Sequence, residues 1–284
     1  MKRIHFYLLP ILLGFSFANC KSRIKQQNDE LYSRHLQRHV KLTIINTPIP
    51  DDKSELNLLI LNDGQDIEKF RVKQIVDSLY KAKAIQPMIV VAVEAGDRMQ
   101  EYGVSDKADY MARGSKAGYY DEFINSELYP YAKKKAGVRK FRSVAIAGCS
   151  LGGLSAFDIG WNHSDKIDKV GVFSGSFWWR DKDITEADYS DEKDRIMYAK
   201  VAASRKQSFP DCWFYVGDKE ENSDRDKDGI IDAVDDTKDL VTLLGSKGHS
   251  SSSKITYVES PDGQHDWPYW SKQLPGFLIW AFPR

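Results

Sequence analysis

Val144-Ala145-Ile146-Ala147-Gly148-Cys149-Ser150-Leu151-Gly152-Gly153 is the stretch that decides how this chain is read. A short apolar run leads into Ser150, and a helical pattern follows from Leu151. A serine held between glycines at a strand-to-helix turn has the form of a nucleophile elbow. The turn is sharp, and only residues without bulk let neighbouring backbone pass close to the projecting hydroxyl. Gly148, Gly152 and Gly153 supply that room.

Outward from the elbow, apolar runs alternate with amphipathic segments, the pattern of a mainly parallel sheet covered by helices on both faces. Strands are expected at 40–45, 56–61, 88–93, 143–147, 169–173, 213–216 and 254–258, and helices at 69–82, 119–135, 151–163, 195–204 and 237–244. In such sheets the chemistry gathers beyond the carboxyl ends of the strands.

That rule locates the partners of Ser150. A serine needs a base to remove its proton, and the base needs an acid to hold its tautomer and stabilise its charge. His265 follows the last expected strand in the turn-rich loop Pro261-Asp262-Gly263-Gln264 and is the best base. His249 precedes that strand and belongs at the opposite edge, His163 falls at the far end of the elbow helix, and His35 and His39 lie before or within the first strand. The acid should follow the strand at 213–216, where Gly217-Asp218-Lys219-Glu220-Glu221 leaves Asp218, Glu220 and Glu221 open. Any of the three gives the order Ser, acid, His of α/β-hydrolases. An oxyanion hole needs two backbone N–H groups. Leu151, next after the serine, offers one, and Gln65 in Asn62-Asp63-Gly64-Gln65, after an early strand, offers the second.

On these residues the chain resembles an esterase family that includes enterochelin esterases, esterase D, feruloyl esterases and the mycolyltransferases. The likeness runs from about Leu31 onward and is carried by Asp63-Gly64-Gln65, by Arg98 with Glu101-Tyr102, and by the elbow with Gly153. Ser174-Gly175-Ser176-Phe177-Trp178-Trp179 and Gly263-Gln264-His265-Asp266-Trp267 complete it, the former pointing toward the enterochelin-esterase branch. The resemblance implies an α/β-hydrolase fold and a serine carboxylic-ester hydrolase that needs no cofactor for catalysis. It assigns the acid to Glu220, third after the strand-ending glycine, and the oxyanion donors to Gln65 and Leu151. The implied substrates are carbohydrate-linked acyl, feruloyl or siderophore esters, although the separate amino-terminal domain of some enterochelin esterases has no room in this length. Trp178 and Trp179 could wall a sugar or a phenolic acyl group. Two alternatives stand beside this reading: an acyltransferase of the same fold, in which a sugar or lipid hydroxyl replaces water, and a calcium-dependent binding protein on an inactive hydrolase scaffold.

Asp224, Asp226 and Asp228 alternate, Gly229 follows, and Asp232 and Asp235 complete a twelve-residue pattern whose oxygens can wrap a calcium ion, with the Ile230 carbonyl contributing. It resembles a dockerin-type calcium loop, and departs from an EF-hand in having Asp235 in place of the final Glu. The expected role of calcium is structural.

The 284 residues carry 41 basic and 41 acidic side chains, so nothing in the charge balance calls for nucleic acid as a partner. No repeat or linker divides the chain. Lys2, Arg3, an apolar run over 6–17 and Cys20 read as a lipoprotein-type export signal over residues 1–20. Residues 21–35 are then expected as a tether and the start of the domain, and 36–284 as the catalytic domain. The expected location is the periplasm or outer membrane of a bacterium, with membrane contact through the lipid anchor only. Cys149 and Cys212, separated by an expected strand, should remain unpaired and buried.

Overall fold

The computed structural model describes residues 24–206, 208–247 and 255–284. The export signal, Cys20 and His249 lie outside the described residues. Among those described, eight strands form one sheet: β1 (Lys25–Ser33), β2 (Arg38–Asn46), β3 (Asn57–Leu61), β4 (Met88–Val93), β5 (Val144–Cys149), β6 (Lys169–Phe173), β7 (Asp211–Gly217) and β8 (Ile255–Ser260). Their order is β1-β2-β4-β3-β5-β6-β7-β8. β2 runs antiparallel to both β1 and β4, and every other pairing is parallel. This is the α/β-hydrolase fold.

Side chains alternate across each strand, so the sheet separates two cores. Leu58, Ile60, Val144 and Ile146 face one core, which α5 (Leu151–Asn162), α7 (Ile196–Ala203) and α8 (Asp232–Ser246) cover with Leu154, Phe157, Val201 and Leu240. Leu59, Leu61, Ala145 and Ala147 face the other, closed by Val72 and Val76 of α1 (Val72–Lys81) and by Leu274 and Phe277 of α9 (Trp267–Ala281). The remaining helices are α2 (Arg98–Glu101), α3 (Ala117–Glu122), α4 (Tyr129–Ala136) and α6 (Asp191–Asp194). The expected helix at 119–135 is α3 and α4 joined by a π-helical turn, Phe123–Leu128.

Two elements depart from the sequence expectation. The polar stretch read as a tether folds as β1, paired over nine residues with β2, so the sheet begins at Lys25 and not after residue 35. An edge strand needs backbone hydrogen bonds more than buried side chains, and most β1 side chains face solvent, which erased the apolar signal. The second is α9, where no helix was expected and whose interior holds Pro275 and Gly276. Asp266 caps its start by accepting the Trp267 N–H at 2.7 Å, Pro268 stands in the first turn, and five core side chains hold it to the sheet.

Candidate active site

The elbow forms at the carboxyl end of β5. Ser150 sits at φ 55°, ψ −125°, outside the favoured regions for a side-chain-bearing residue. Three surroundings hold it there. Its N–H donates to the Phe173 carbonyl at 2.8 Å, and its own carbonyl accepts the N–H groups of Gly153 at 2.9 Å and Ser176 at 3.3 Å. A Cβ at Gly148 would lie 2.3 Å from the Gly152 carbonyl oxygen, so the turn closes only around glycine. The Ser150 hydroxyl lies 3.5 Å from that of Ser176. Burial, reinforced by the Asp63 carboxylate, pushes the neighbouring Cys149 thiol up and keeps it protonated. Cys149 and Cys212 are both buried and unpaired, on β5 and β7 with β6 between them.

Beyond β7 and β8, Glu220 and His265 meet. His265 Nδ1 lies 2.9 Å from Glu220 Oε2, with the carboxylate side chain 1% exposed and the imidazole 39% exposed. The carboxylate is buried and directed while the ring keeps an open edge, the disposition a base needs. The other oxygen, Oε1, accepts the Gly217 N–H at 2.6 Å and the Ser174 hydroxyl, and Ser174 in turn accepts the Trp270 indole N–H at 2.8 Å. Trp270 also packs edge-on against the imidazole, 5.0 Å between ring centroids. The other two carboxylates are occupied elsewhere: Asp218 accepts the Asp262 N–H at 2.7 Å, and Glu221 the Ala233 N–H at 2.8 Å. Of the three, Glu220 is the one in contact with His265.

Gln65 lies in the 3₁₀ turn Gly64–Asp66 after β3, and Leu151 opens α5. Both are first-turn positions, where backbone N–H groups lack an intrahelical acceptor. The turn is tied to the elbow by three links. The Asn62 amide donates to the Gly152 carbonyl at 2.8 Å, the Asn62 backbone N–H donates to Ala147 at 2.9 Å, and Arg98 bridges Asp63 (2.7 Å) and the Cys149 carbonyl (3.4 Å). Tyr102 accepts the Asp63 N–H at 2.9 Å, and Tyr120 donates to Asn62 Oδ1 at 2.8 Å, both from fully buried rings. Gly64 admits no side chain, because its Cβ would stand 2.8 Å from the backbone of Ala92 and Val93.

A family model described as "Putative esterase" matches residues 33–281. The chain belongs to the esterase family. Uncharacterized protein YbbA of Bacillus subtilis (strain 168) is 21% identical to this esterase over 239 residues, covering 82% of this chain and 88% of the relative. Among solved structures, a ferulic acid esterase superposes with TM-score 0.65 at 21% identity, covering 92% of this chain and 98% of that one. An enterobactin esterase from Shigella flexneri, determined in the presence of enterobactin, gives TM-score 0.66 at 20% identity, over 90% of this chain and 58% of its own. The siderophore hydrolase EstB from Aspergillus nidulans gives 0.66 at 14% identity over the whole of both chains. This esterase thus spans little more than half of the enterobactin esterase and the full length of the fungal enzyme.

The two tryptophans of this esterase separate. Trp179 is fully buried beneath Arg113, whose guanidinium carbon lies 4.8 Å above its ring, and beside Gly103 and Gly114. It is core, and the expectation that it contacts substrate is corrected. Trp178 is half-buried and borders a surface cavity with Arg180 and Ile184, so it alone of the pair can meet a ligand.

In the acidic loop, carboxylate oxygens of Asp224, Asp226 and Asp228 lie within 4.8 Å of one another. Gly229 turns the chain at φ 93°, and Ile230 donates its N–H to Asp228 at 2.8 Å. Burial, with the nearby carboxylates of Asp239, Asp226, Asp236 and Asp228, pushes Asp235 up to about 6. Asp232 does not join the cluster. It accepts the Arg225 N–H at 2.8 Å and pairs with the Arg225 guanidinium at 3.3 Å.

Asn62, Ser174, Ser176 and Trp270 had no expected role: the first three lie within the Asn62–Gln65 and Ser174–Trp179 segments and Trp270 three residues beyond Trp267, and the left-handed backbone of Ser174, φ 52°, is advertised by no residue type.

Proposed function

We propose that this esterase is a serine carboxylic-ester hydrolase with Ser150 as nucleophile, His265 as general base and acid, and Glu220 as the group that orients and stabilises the imidazole. The observation that carries this reading is the His265 Nδ1 to Glu220 Oε2 contact at 2.9 Å across the sheet edge where the Ser150 elbow stands. In acylation, Ser150 Oγ bonds to the ester carbonyl carbon and its proton passes to His265 Nε2. The carbonyl oxygen becomes an oxyanion facing the N–H groups of Leu151 and Gln65. Collapse breaks the bond to the alcohol, which takes the proton from His265. Water, deprotonated by the same imidazole, then releases the acid and restores Ser150. The test is labelling of Ser150 by a fluorophosphonate, together with a screen of carbohydrate-linked acetyl, feruloyl and siderophore esters. Absence of both labelling and hydrolysis overturns the reading. A carbohydrate acceptor added to the assay separates hydrolysis from acyl transfer.

Calcium fits the acidic loop as a structural ion, since three carboxylates converge beside a glycine turn. Asp224, Asp226 and Asp228 would hold it, with Asp235 and the Ile230 carbonyl completing the shell and Asp232 committed to Arg225. It would fix the segment that follows Glu220. Export and lipid attachment at Cys20 rest on the basic start, apolar run and cysteine alone. Mass spectrometry of the mature amino terminus and membrane fractionation test them, and an unacylated start elsewhere overturns them.

A further inference from the structure

The segment that follows β6 closes around the nucleophile. The Phe173 carbonyl accepts the Ser150 N–H at 2.8 Å, and farther along the Ser176 N–H donates to the Ser150 carbonyl at 3.3 Å. Between them Gly175 leaves no room for a side chain, because its Cβ would stand 2.6 Å from Val172 Cγ1 and 2.7 Å from the Phe177 ring. Phe177 is buried against Phe157 of α5 and Phe214 of β7, at 5.8 and 5.9 Å between ring centroids. The Ser176 carbonyl accepts the Trp179 N–H at 3.1 Å. The backbone of Ser176 is therefore held on both sides.

Two serines of this segment reach two parts of the proposed machinery. The Ser174 hydroxyl donates to Glu220, and the Ser176 hydroxyl lies 3.5 Å from Ser150 Oγ. Ser176 is 3% exposed, and among the described residues Ser150 Oγ is the hydrogen-bond partner recorded for its hydroxyl. A buried hydroxyl needs an acceptor. The one it has stands beyond the usual O–H···O range of about 2.5–3.0 Å. The bond is thus poorly made while Ser150 is a neutral hydroxyl, and it gains strength when Oγ gains charge.

We propose that Ser176 is a further catalytic residue, whose hydroxyl donates to Ser150 Oγ when that oxygen carries negative charge. The proposal rests on the esterase reading above and deepens it. When His265 Nε2 takes the Ser150 proton, the contact with Ser176 shortens into a charge-assisted hydrogen bond of about 2.5–2.7 Å. As the bond from Oγ to the carbonyl carbon forms, the charge passes to the carbonyl oxygen and the N–H groups of Leu151 and Gln65. In deacylation that bond breaks, Ser176 meets the charge returning to Oγ, and His265 gives Oγ its proton back. The Ser176 proton stays on Ser176 throughout. An interaction stronger in the charged state than at rest raises kcat without tightening substrate binding.

The experiment measures the second-order rate of Ser150 labelling by a fluorophosphonate, with kcat and KM for 4-nitrophenyl acetate, across pH. The proteins are wild type, Ser176→Ala and Ser176→Cys. Alanine removes the donor, and cysteine fills much the same space with a weak one. Both variants should label about tenfold more slowly and lose kcat by a like factor, the effect expected of a hydrogen bond to a charged atom. Acylation and deacylation slow alike, so KM should stay nearly unchanged. The pH midpoint of labelling, set by His265 beside Glu220, should also stay where wild type has it, because Ser176 acts on Oγ alone. A shifted midpoint would assign the loss to movement of the whole segment, through Ser174 and Glu220, and overturn the proposal. A wild-type labelling rate in either variant would overturn it too, while leaving the esterase reading standing. If wild type itself neither labels nor hydrolyses, the esterase reading fails and this proposal falls with it.

Discussion

The Trp270 indole N–H donates to the Ser174 hydroxyl at 2.8 Å, and that hydroxyl is thereby turned to donate to Glu220. A helix that closes the far core thus reaches across the sheet edge to the carboxylate that contacts His265. Ser174→Ala should lower kcat by about tenfold with KM little changed, the cost of removing one donor from a buried carboxylate. Trp270→Phe, which keeps a ring against His265 but loses the N–H, should cost less. A fall confined to KM in steady-state assays would contradict this positioning role.

Ser150→Ala and His265→Ala should each reduce kcat by on the order of a million-fold, because the nucleophile and base act as a unit. Glu220→Gln should cost about ten-thousand-fold, since the amide presents the wrong partner to His265 Nδ1. Asp218→Asn and Glu221→Gln, whose carboxylates accept backbone N–H groups away from the imidazole, should cost far less. Purified variants assayed free of contaminating esterase decide the order.

The Asn62 amide joins the turn that carries Gln65 to the elbow, so on the proposed oxyanion role Asn62→Ala should shift the Gln65 N–H relative to Leu151 and lower kcat by about a hundredfold. The loss of two buried hydrogen bonds should also lower stability by about 1–3 kcal/mol. Chemical denaturation alongside kinetics separates the two effects, and wild-type kcat in a folded variant would dismiss the first.

Trp179→Ala should destabilise the protein by about 3–5 kcal/mol, the usual cost of emptying a fully buried aromatic site. Trp178→Ala should leave the melting temperature nearly unchanged and raise KM for esters with aromatic groups. Melting curves and KM values for the pair check the division of labour.

Asp235 stands at about 6 in the folded protein, above its ordinary 3.8. The folded state therefore holds this proton to higher pH than the unfolded chain does. Stability contributed here is greatest below about pH 4 and falls as pH rises to about 6. Without calcium, Asp235→Asn should raise the melting temperature at pH 7.5 by about 1–3 °C and do nothing at pH 4. With calcium the sign should reverse, because the ion needs the ionised carboxylates and stabilises the fold by about 2.7 kcal/mol at a hundredfold excess over its dissociation constant. Identical melting curves with calcium and with chelator would reduce the loop to an acidic turn.

The sequence by itself determined the alternation of apolar runs that makes the sheet, the glycine-flanked turn at Ser150, and the strand ends after which Glu220 and His265 stand. These are local signals: a period, a turn that only glycine permits, and a strand end. It also placed β4 and β6 to the residue, because both are buried on two faces and read as unbroken apolar runs. Tertiary structure decided the rest. β1 is polar and α9 contains Pro275 and Gly276, so neither shows in a window of neighbours; one is fixed by pairing with β2, the other by the core it closes. Three carboxylates follow β7 with equal claim on composition; the family resemblance pointed to Glu220, and only tertiary structure brings that carboxylate against His265. Trp178 and Trp179 are adjacent in sequence and Arg113 lies over both rings, yet one meets solvent and the other is core, because the fold also packs Gly103 and Gly114 against the second. Periodicity and turn chemistry are properties of neighbouring residues, whereas the partner of a buried side chain comes from chain that may lie a hundred residues away.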